Sequence, residues 1–331
     1  MALTELPPTA LQTTPPATPR STPQALPFPA PHDHELDPVL AEFHPAVRTW
    51  FARTFPLGPT EPQAGAWPSI AAGNDTLVAA PTGSGKTLSA FLVSIDELYK
   101  RHDAGQLMGT TAQVMYVSPL KALAVDISEN LMRPLDEIAA IAIELGYEPP
   151  KLRVGVRSGD TTSSQRASMV RKPPEFIVTT PESLYLMVTA EKSRDALRSI
   201  RTVIVDEIHA VARDKRGSHL ALTLERLEHI CAERPVRIGL SATQRPIETV
   251  ARLLVGGGRC KADGSPDCQV VDSGHKRTLD LELVLPDGEL EALAPAEQVS
   301  EMLDRITEMI NEHHTTPVSY THLTLPTICS V

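Results

Sequence analysis

The sequence predicts an α/β fold with a mostly parallel sheet flanked by helices. Three observations carry this. Short apolar runs of strand length recur along the chain, each followed by a stretch of helix length, the order that builds a parallel sheet. Two of these runs end in one grammar, a small polar residue followed by a proline that opens a helix, at Ser118-Pro119 and Thr180-Pro181. The composition also fits: 41% of residues are hydrophobic and only 4% aromatic, giving an Ala-, Leu- and Val-rich interior.

The first run sets the frame. In Thr76–Thr87, TLVAAPTGSGKT, the apolar Leu77-Val78-Ala79-Ala80 reads as a buried strand and LSAFLVSIDELY beyond it as a helix. Between them lie Pro81, Thr82, Gly83, Ser84 and Gly85, then Lys86 and Thr87. A strand, a Gly-rich turn and a helix opened by Lys-Thr form the context of a phosphate-binding P-loop. Glycine lets successive N–H groups turn inward, and the helix adds the positive end of its dipole. Lys86 is expected to reach the β/γ-phosphates and the Thr87 hydroxyl to ligate Mg²⁺. Ala80 stands where the usual motif has its first glycine.

The remaining elements follow in order. Residues 1–35 are dense in Pro, Thr and Ala and read as a disordered leader. His32-Asp33-His34 has no further ligands nearby and reads as part of it. Phe43, Trp50, Phe51, Phe55 and Trp67 read as helix packing and core. Gln63 lies shortly before the P-loop strand. Its amide could read an adenine, donating and accepting at once, or serve structure alone, and the residues leave both open. Gln113–Ser118 reads as a strand running into Pro119-Leu120-Lys121-Ala122, Leu152–Val156 as another, and Glu175–Thr179 as a third, entering Thr180-Pro181-Glu182-Ser183. In an open parallel sheet such loops share one edge, where ligands bind. The helix starts at 119–122 and 181–184, with Lys121, could hold phosphates of a nucleic-acid strand, Glu182 partly offsetting the second dipole. Between Lys151 and Lys172 six basic residues meet one acidic residue; such a run on its own reads as a solvated face.

Thr202–Val205 ends in Asp206-Glu207-Ile208-His209. Two adjacent carboxylates at a strand end suit a nucleotide-metal site, with Asp206 on Mg²⁺ and Glu207 orienting and deprotonating a water. His209 could couple this site to a neighbouring loop or be a satisfied structural histidine. Val236–Leu240 then leads to Ser241-Ala242-Thr243, whose hydroxyls could bridge to the carboxylates or to His209.

A formal net charge of −10 and a pI of about 5.6 argue against a wholesale basic wrapper of nucleic acid, while leaving room for a local basic face. None of the four cysteines, Cys231, Cys260, Cys268 and Cys329, sits in a C-x-x-C pair, so a metal knuckle or disulfide framework is not expected. With no apolar run of membrane-spanning length and no signal-peptide core, a cytoplasmic protein without a membrane partner is expected.

Taken together, VSPLKALAVD, RSGDTTSSQRA, TTPESLYLMV, VDEIHAVARDKRGSHLALTLERL and GLSATQRP resemble the first RecA-like lobe of Lhr-type (large helicase-related) superfamily 2 helicases, over about Phe43 to Leu285. The resemblance implies a RecA-like P-loop NTPase domain in an ATP-dependent 3′→5′ helicase or translocase. Its substrate would be single-stranded or duplex nucleic acid, DNA or RNA:DNA favoured, in genome maintenance. It assigns Gln63 to adenine, Gly83 to Thr87 to phosphates and Mg²⁺, Asp206 and Glu207 to hydrolysis, and Ser241 and Thr243 to coupling. Lys121, Thr180 and Pro181 fall in strand-contacting blocks. Two other readings stand beside it: a module that binds ATP and nucleic acid without turnover, and an RNA helicase. The implied domains are 36–267 for this lobe and 268–316 for the inter-lobe connection and the start of a second lobe. The family's arginine finger lies in that second lobe, so these residues alone are expected to turn over ATP negligibly. VSYTHLTLPT resembles translated adapter DNA from sequencing libraries. Residues 317–331 are therefore expected to be non-native, and an unbroken genomic reading frame through Val331 would refute this.

Overall fold

A computed structural model describes residues 38–81, 83–107, 110–119, 121–242, 245–274 and 295–312, without the side chains of 121–130. The expectations placed on the leader, on Thr82, Leu120 and Thr243, and on residues 313–331 lie outside the described residues.

The first unit is built from β1 (Thr76–Ala79), β2 (Val114–Val117), β3 (Val154–Arg157), β4 (Phe176–Thr179), β5 (Thr202–Val205), β6 (Val236–Ser241) and β7 (Gln269–Asp272). They form one sheet in the order β3-β4-β2-β5-β6-β1-β7, every pair parallel. The helices are α1 (Pro45–Thr54), α2 (Glu61–Ala71), α3 (Lys86–Asp103), α4 (Lys121–Glu144), α5 (Ser163–Arg171), α6 (Pro181–Thr189), α7 (Glu191–Leu197), α8 (Lys215–Ile230) and α9 (Ile247–Val255).

The central strands are buried on both faces, yet their side chains still alternate. Val78, Tyr116, Val178, Ile204 and Leu240 join one core with α1, α2, α3 and α4. Leu77, Met115, Ile177 and Val205 join the other with α6, α8 and α9. The expected aromatic packing is present: Trp67 meets Phe43 and Phe51 edge-on, each pair with ring centroids 5.2 Å apart. Trp67 Nε1 also donates to Ser89 O at 3.2 Å, tying α2 to α3.

Boundaries differ from the sequence reading in small ways. β2 is one residue shorter at each end, although Gln113 N still donates to Glu175 O and Ser118 N to Thr179 O, each at 2.9 Å. β3 is shifted toward Arg157. The stretch read as a connection from Cys268 begins with β7, which extends the sheet beside β1. Its QVVD sequence is short and largely exposed, so it has no buried apolar run to announce it.

At the amino-terminal edge of the sheet lies a buried charge cluster. Asp75 accepts from Arg237 N at 2.8 Å and pairs with Arg234 and Arg259, while the buried Arg237 guanidinium pairs with Glu225 and Glu228. Of the second unit, residues 276–331, only 295–312 are described; there α10 (Ala296–Glu312) places Val299, Met302, Leu303, Ile306 and Ile310 along one face.

Candidate nucleotide site

The site grows from the carboxyl ends of β1, β5 and β6, which are neighbours in the sheet. β1 leaves the sheet at Ala80, whose N–H still donates to Ser241 O at 3.1 Å. The chain then turns through Gly83 at φ +79 and Gly85 at φ +83. Gly85 is the N-cap of α3 in the left-handed region, where a side chain is strained. A Cβ there would also stand 2.6 Å from Gln63 Nε2.

Lys86 opens α3 and is buried. Its Nζ donates to Ala80 O at 2.7 Å and Pro81 O at 3.2 Å, folding the ammonium over the turn's own backbone. Burial lowers its pKa, and the carboxylates of Glu207 and Asp206 act in the opposite direction. Lys86 and the two acids therefore share one site.

A residue that the sequence reading left in the core joins them. The Tyr116 hydroxyl donates to Asp206 Oδ2 and is hydrogen-bonded by the Thr87 side chain. Its ring stacks on Phe91 with centroids 4.8 Å apart. Thr87 and Asp206, the two expected Mg²⁺ ligands, thus meet at one phenol. The sequence signal was a tyrosine in an otherwise aliphatic strand. Burial raises the Tyr116 pKa well above its usual value, with Asp206 adding to the effect, so it remains a donor. Burial likewise raises the Asp206 carboxyl.

Glu207 turns sharply out of β5 at φ 43, ψ 39, the only non-glycine residue with positive φ among the described residues. Its N–H donates to Asp206 Oδ1 at 2.8 Å. This turn lets consecutive carboxylates serve one site. His209 Nδ1 lies 3.3 Å from Glu207 Oε2 and accepts from Ala242 N at 3.2 Å. An accepting Nδ1 leaves the proton of the neutral ring on Nε2. The His209 ring thus lies between the Glu207 carboxylate and the loop after β6, with its hydrogen bond going to the loop. The link differs from the expected one: the Ser241 hydroxyl donates to Ala242 O at 2.7 Å, and the backbone N–H of Ala242 reaches His209 instead.

Gln63 is buried against the turn. Its Oε1 accepts from Thr60 N at 2.9 Å in a capping box for α2, and its Nε2 donates to Gly85 O at 3.4 Å. Gln63 thus caps α2 and lies beside the phosphate turn.

The strand-contacting blocks lie further along the same edge. β2 and β4 are neighbours with Val117 opposite Thr179, which sets the starts of α4 and α6 side by side. Thr180 caps α6 by accepting from Ser183 N at 3.3 Å, and Pro181 is its first residue. Lys121 opens α4, with its side chain outside the description. Sequence reasoning missed Arg216. Its Nε donates to Glu182 Oε1 at 2.8 Å and its Nη2 to Pro119 O at 2.9 Å, joining the two helix starts. The negative charge expected to offset the α6 dipole is thus matched by a guanidinium. The contact spans residues 97 apart, so no local pattern marks it.

The chemistry of the donors fits a magnesium nucleotide: hydroxyl and carboxylate oxygens for a hard cation, a cradle narrowed at Gly85, and a buried Ser84 hydroxyl without a partner among the described residues. Fold and site together define a P-loop NTPase of the RecA-like kind. Residues 60–252 match the family described as DEAD/DEAH box helicase, and the chain belongs to that family.

Its relatives refine the picture. It is 46% identical over 279 residues to the Lhr helicase/probable uracil glycosylase of Mycolicibacterium smegmatis, covering 84% of this chain and 18% of that protein. It is 45% identical over 273 residues to the ATP-dependent helicase Lhr-Core of Methanothermobacter thermautotrophicus, covering 82% of this chain and 31% of that protein. A solved structure of Mycobacterium smegmatis helicase Lhr bound to ssDNA and AMP-PNP matches at 45% identity with a TM-score of 0.71, over 84% of this chain and 34% of that one. The chain thus spans 18% and 31% of the length of these two curated relatives. Among the described residues no helix is long and apolar enough to cross a membrane.

Proposed function

We propose that the chain is the ATP-binding motor lobe of an ATP-dependent helicase or translocase that moves 3′→5′ along DNA, or on RNA:DNA hybrids, in DNA repair. The observation that carries this is the convergence of Lys86, Thr87, Asp206 and Glu207 around the Tyr116 hydroxyl. DNA is favoured because the solved Lhr relative carries ssDNA beside its nucleotide analogue. Residues 36–267 make up the lobe. Residues 268–316 form the connection and the start of a second lobe, with β7 remaining in the first sheet.

In this reading the N–H groups from Gly83 to Thr87 and the Lys86 ammonium hold the phosphates, and Gln63 turns its amide to the adenine. Thr87 and Asp206 would hold Mg²⁺, which when bound neutralises charge on the phosphate oxygens. Glu207 orients a water and takes its proton. His209 sits beside the Glu207 carboxylate and, by accepting from Ala242 N, ties the acidic turn to the end of β6 and the loop beyond it, which carry Ser241 and Thr243. Lys121, Thr180 and Pro181 contact the strand.

The test separates the roles. With a fluorescent ATP analogue, Lys86→Ala in this chain is expected to weaken binding by roughly tenfold, the scale of one lost charge-assisted contact. Glu207→Gln is expected to bind as wild type and, in a protein carrying both lobes, to abolish hydrolysis. Equal loss of nucleotide affinity in both variants means the roles are misassigned.

A further inference from the structure

The first turn of α8 is held from two sides. On one side it rests on the chain that leaves the acidic turn. Asp214 caps the helix by accepting from Arg216 N at 2.7 Å and Gly217 N at 3.1 Å. Asp214 N in turn donates at 3.3 Å to the carbonyl of Val211, two residues beyond His209. Gly217 packs so closely on that segment that a Cβ would stand 2.2 Å from Val211 O. No side chain separates the two backbones, so a displacement of the acidic turn carries the start of α8 with it.

On the other side the same turn reaches the starts of α4 and α6. Arg216 Nε donates to Glu182 Oε1 at 2.8 Å, in the first turn of α6. Its Nη2 donates to Pro119 O at 2.9 Å, just before α4. The Pro119 carbonyl and the Glu182 carboxylate thus share one planar guanidinium, whose donors stand in a fixed fork. A lysine carries a single ammonium on a flexible stem and cannot reproduce that spacing. Arg216 and Glu182 are both about half exposed, so their pair adds little to stability. Among the described residues Arg216 makes no hydrogen bond or ion pair to Lys86, Asp206 or Glu207.

The start of α8 is therefore a shared anchor. Its backbone follows the acids, and its Arg216 side chain spans the two helix starts. We propose that Arg216 is a positioning residue that fixes the spacing of the α4 and α6 starts and ties it to the acidic turn, so that nucleotide and nucleic-acid strand sense each other's binding through it. This rests on the reading above that the two helix starts hold the strand. Arg216 acts here through the geometry of its fork, which separates it from a residue that binds phosphate by charge. Such a linkage is reciprocal, and couplings of this kind change affinity by about 5–150-fold.

The experiment measures the affinity of a labelled oligo(dT) strand with and without magnesium AMP-PNP, in a protein carrying both lobes. In wild type the two affinities are expected to differ by at least about fivefold. Arg216→Gln and Arg216→Lys are each expected to bring that ratio within about twofold of one, while AMP-PNP affinity without the strand stays within about twofold of wild type. Glu182→Gln keeps an accepting oxygen for Nε and is expected to keep most of the ratio. A merely structural arginine would lower both affinities and the melting temperature together and leave the ratio as it was; that result overturns the proposal. So does an Arg216→Lys protein that behaves as wild type while Arg216→Gln makes the salt slope of strand binding shallower by about 0.7, the mark of a direct phosphate contact. A wild type that binds the strand equally well with and without nucleotide overturns the linkage and leaves the strand reading standing. Failure of wild type to bind the strand at all overturns both, and leaves the nucleotide site intact.

Discussion

Gly217→Ala tests whether the acidic turn and the helix after it move as one block. Gly217 lies in the first turn of α8, where its N–H donates to the Asp214 cap at 3.1 Å. An added Cβ would stand 2.2 Å from Val211 O, 3.0 Å from Val211 C and 3.4 Å from Ala212 Cα. All three are backbone atoms, so no side-chain rotation makes room. Val211 is fully buried and its carbonyl also accepts from Asp214 N at 3.3 Å. The helix start or the preceding loop must shift by about 1 Å to restore ordinary contact. Overpacking of this kind costs about 1–3 kcal/mol. A helical Gly→Ala change by itself stabilises by about 0.4–1 kcal/mol. The net expectation is a loss of about 1–2 kcal/mol, or a melting temperature about 3–6 °C lower for a unit of this size. The sign is opposite to that of an ordinary helical glycine. Thermal unfolding followed by circular dichroism reads it directly. The displaced Val211 lies two residues from His209, so the His209–Ala242 contact is strained as well. In a protein with both lobes hydrolysis is expected to fall about tenfold, with nucleotide affinity within about twofold of wild type. A variant as stable as wild type, or more so, shows that the close approach does not govern this turn.

Two further perturbations probe the buried charges. Burial raises the Asp206 carboxyl, so the folded protein holds that proton more tightly than the unfolded chain. This contribution favours folding at pH below the ordinary carboxylate range and is lost as pH rises through the raised value. Asp206→Asn, which still accepts from Tyr116, is therefore expected to melt higher than wild type at pH 7.5, with the gap closing toward pH of about 4, and to lose magnesium-dependent nucleotide binding; a gap that widens on acidification contradicts this. At the opposite edge, Asp75→Ala leaves Arg259 and the Arg237 N–H without their shared acceptor. Arg234 is half exposed and can turn to water, so the lower end of the range for broken buried pairs applies, about 3 kcal/mol, or about 6–12 °C in melting temperature. A urea midpoint implying a loss under about 1 kcal/mol would mean the cluster relaxes around the gap.

Local chemistry carried much of this architecture. Continuous apolar runs identified β1, β2, β4, β5 and β6. The proline after Thr180 marked the start of α6, and the glycines before Lys86 marked the phosphate turn, because each such signal lies within a few residues of what it specifies. The half-buried β3 was legible only to within two residues, and β7 was not read at all, since an exposed edge strand needs no apolar run.

What the sequence determined by itself was which groups stand at strand ends: lysine and threonine after one strand, twin carboxylates after another. Tertiary structure decided who meets whom. The strand order brings β5, β6 and β1 together and sets β2 between β4 and β5, so that Tyr116 reaches Asp206 across 90 residues and Arg216 reaches Pro119 across 97. It also brings Arg166 near Arg157, with neither in an ion pair with a carboxylate among the described residues. Hydrogen bonds and charge contacts act over a few ångströms of space, and sequence separation says little about that distance until the sheet has set its order.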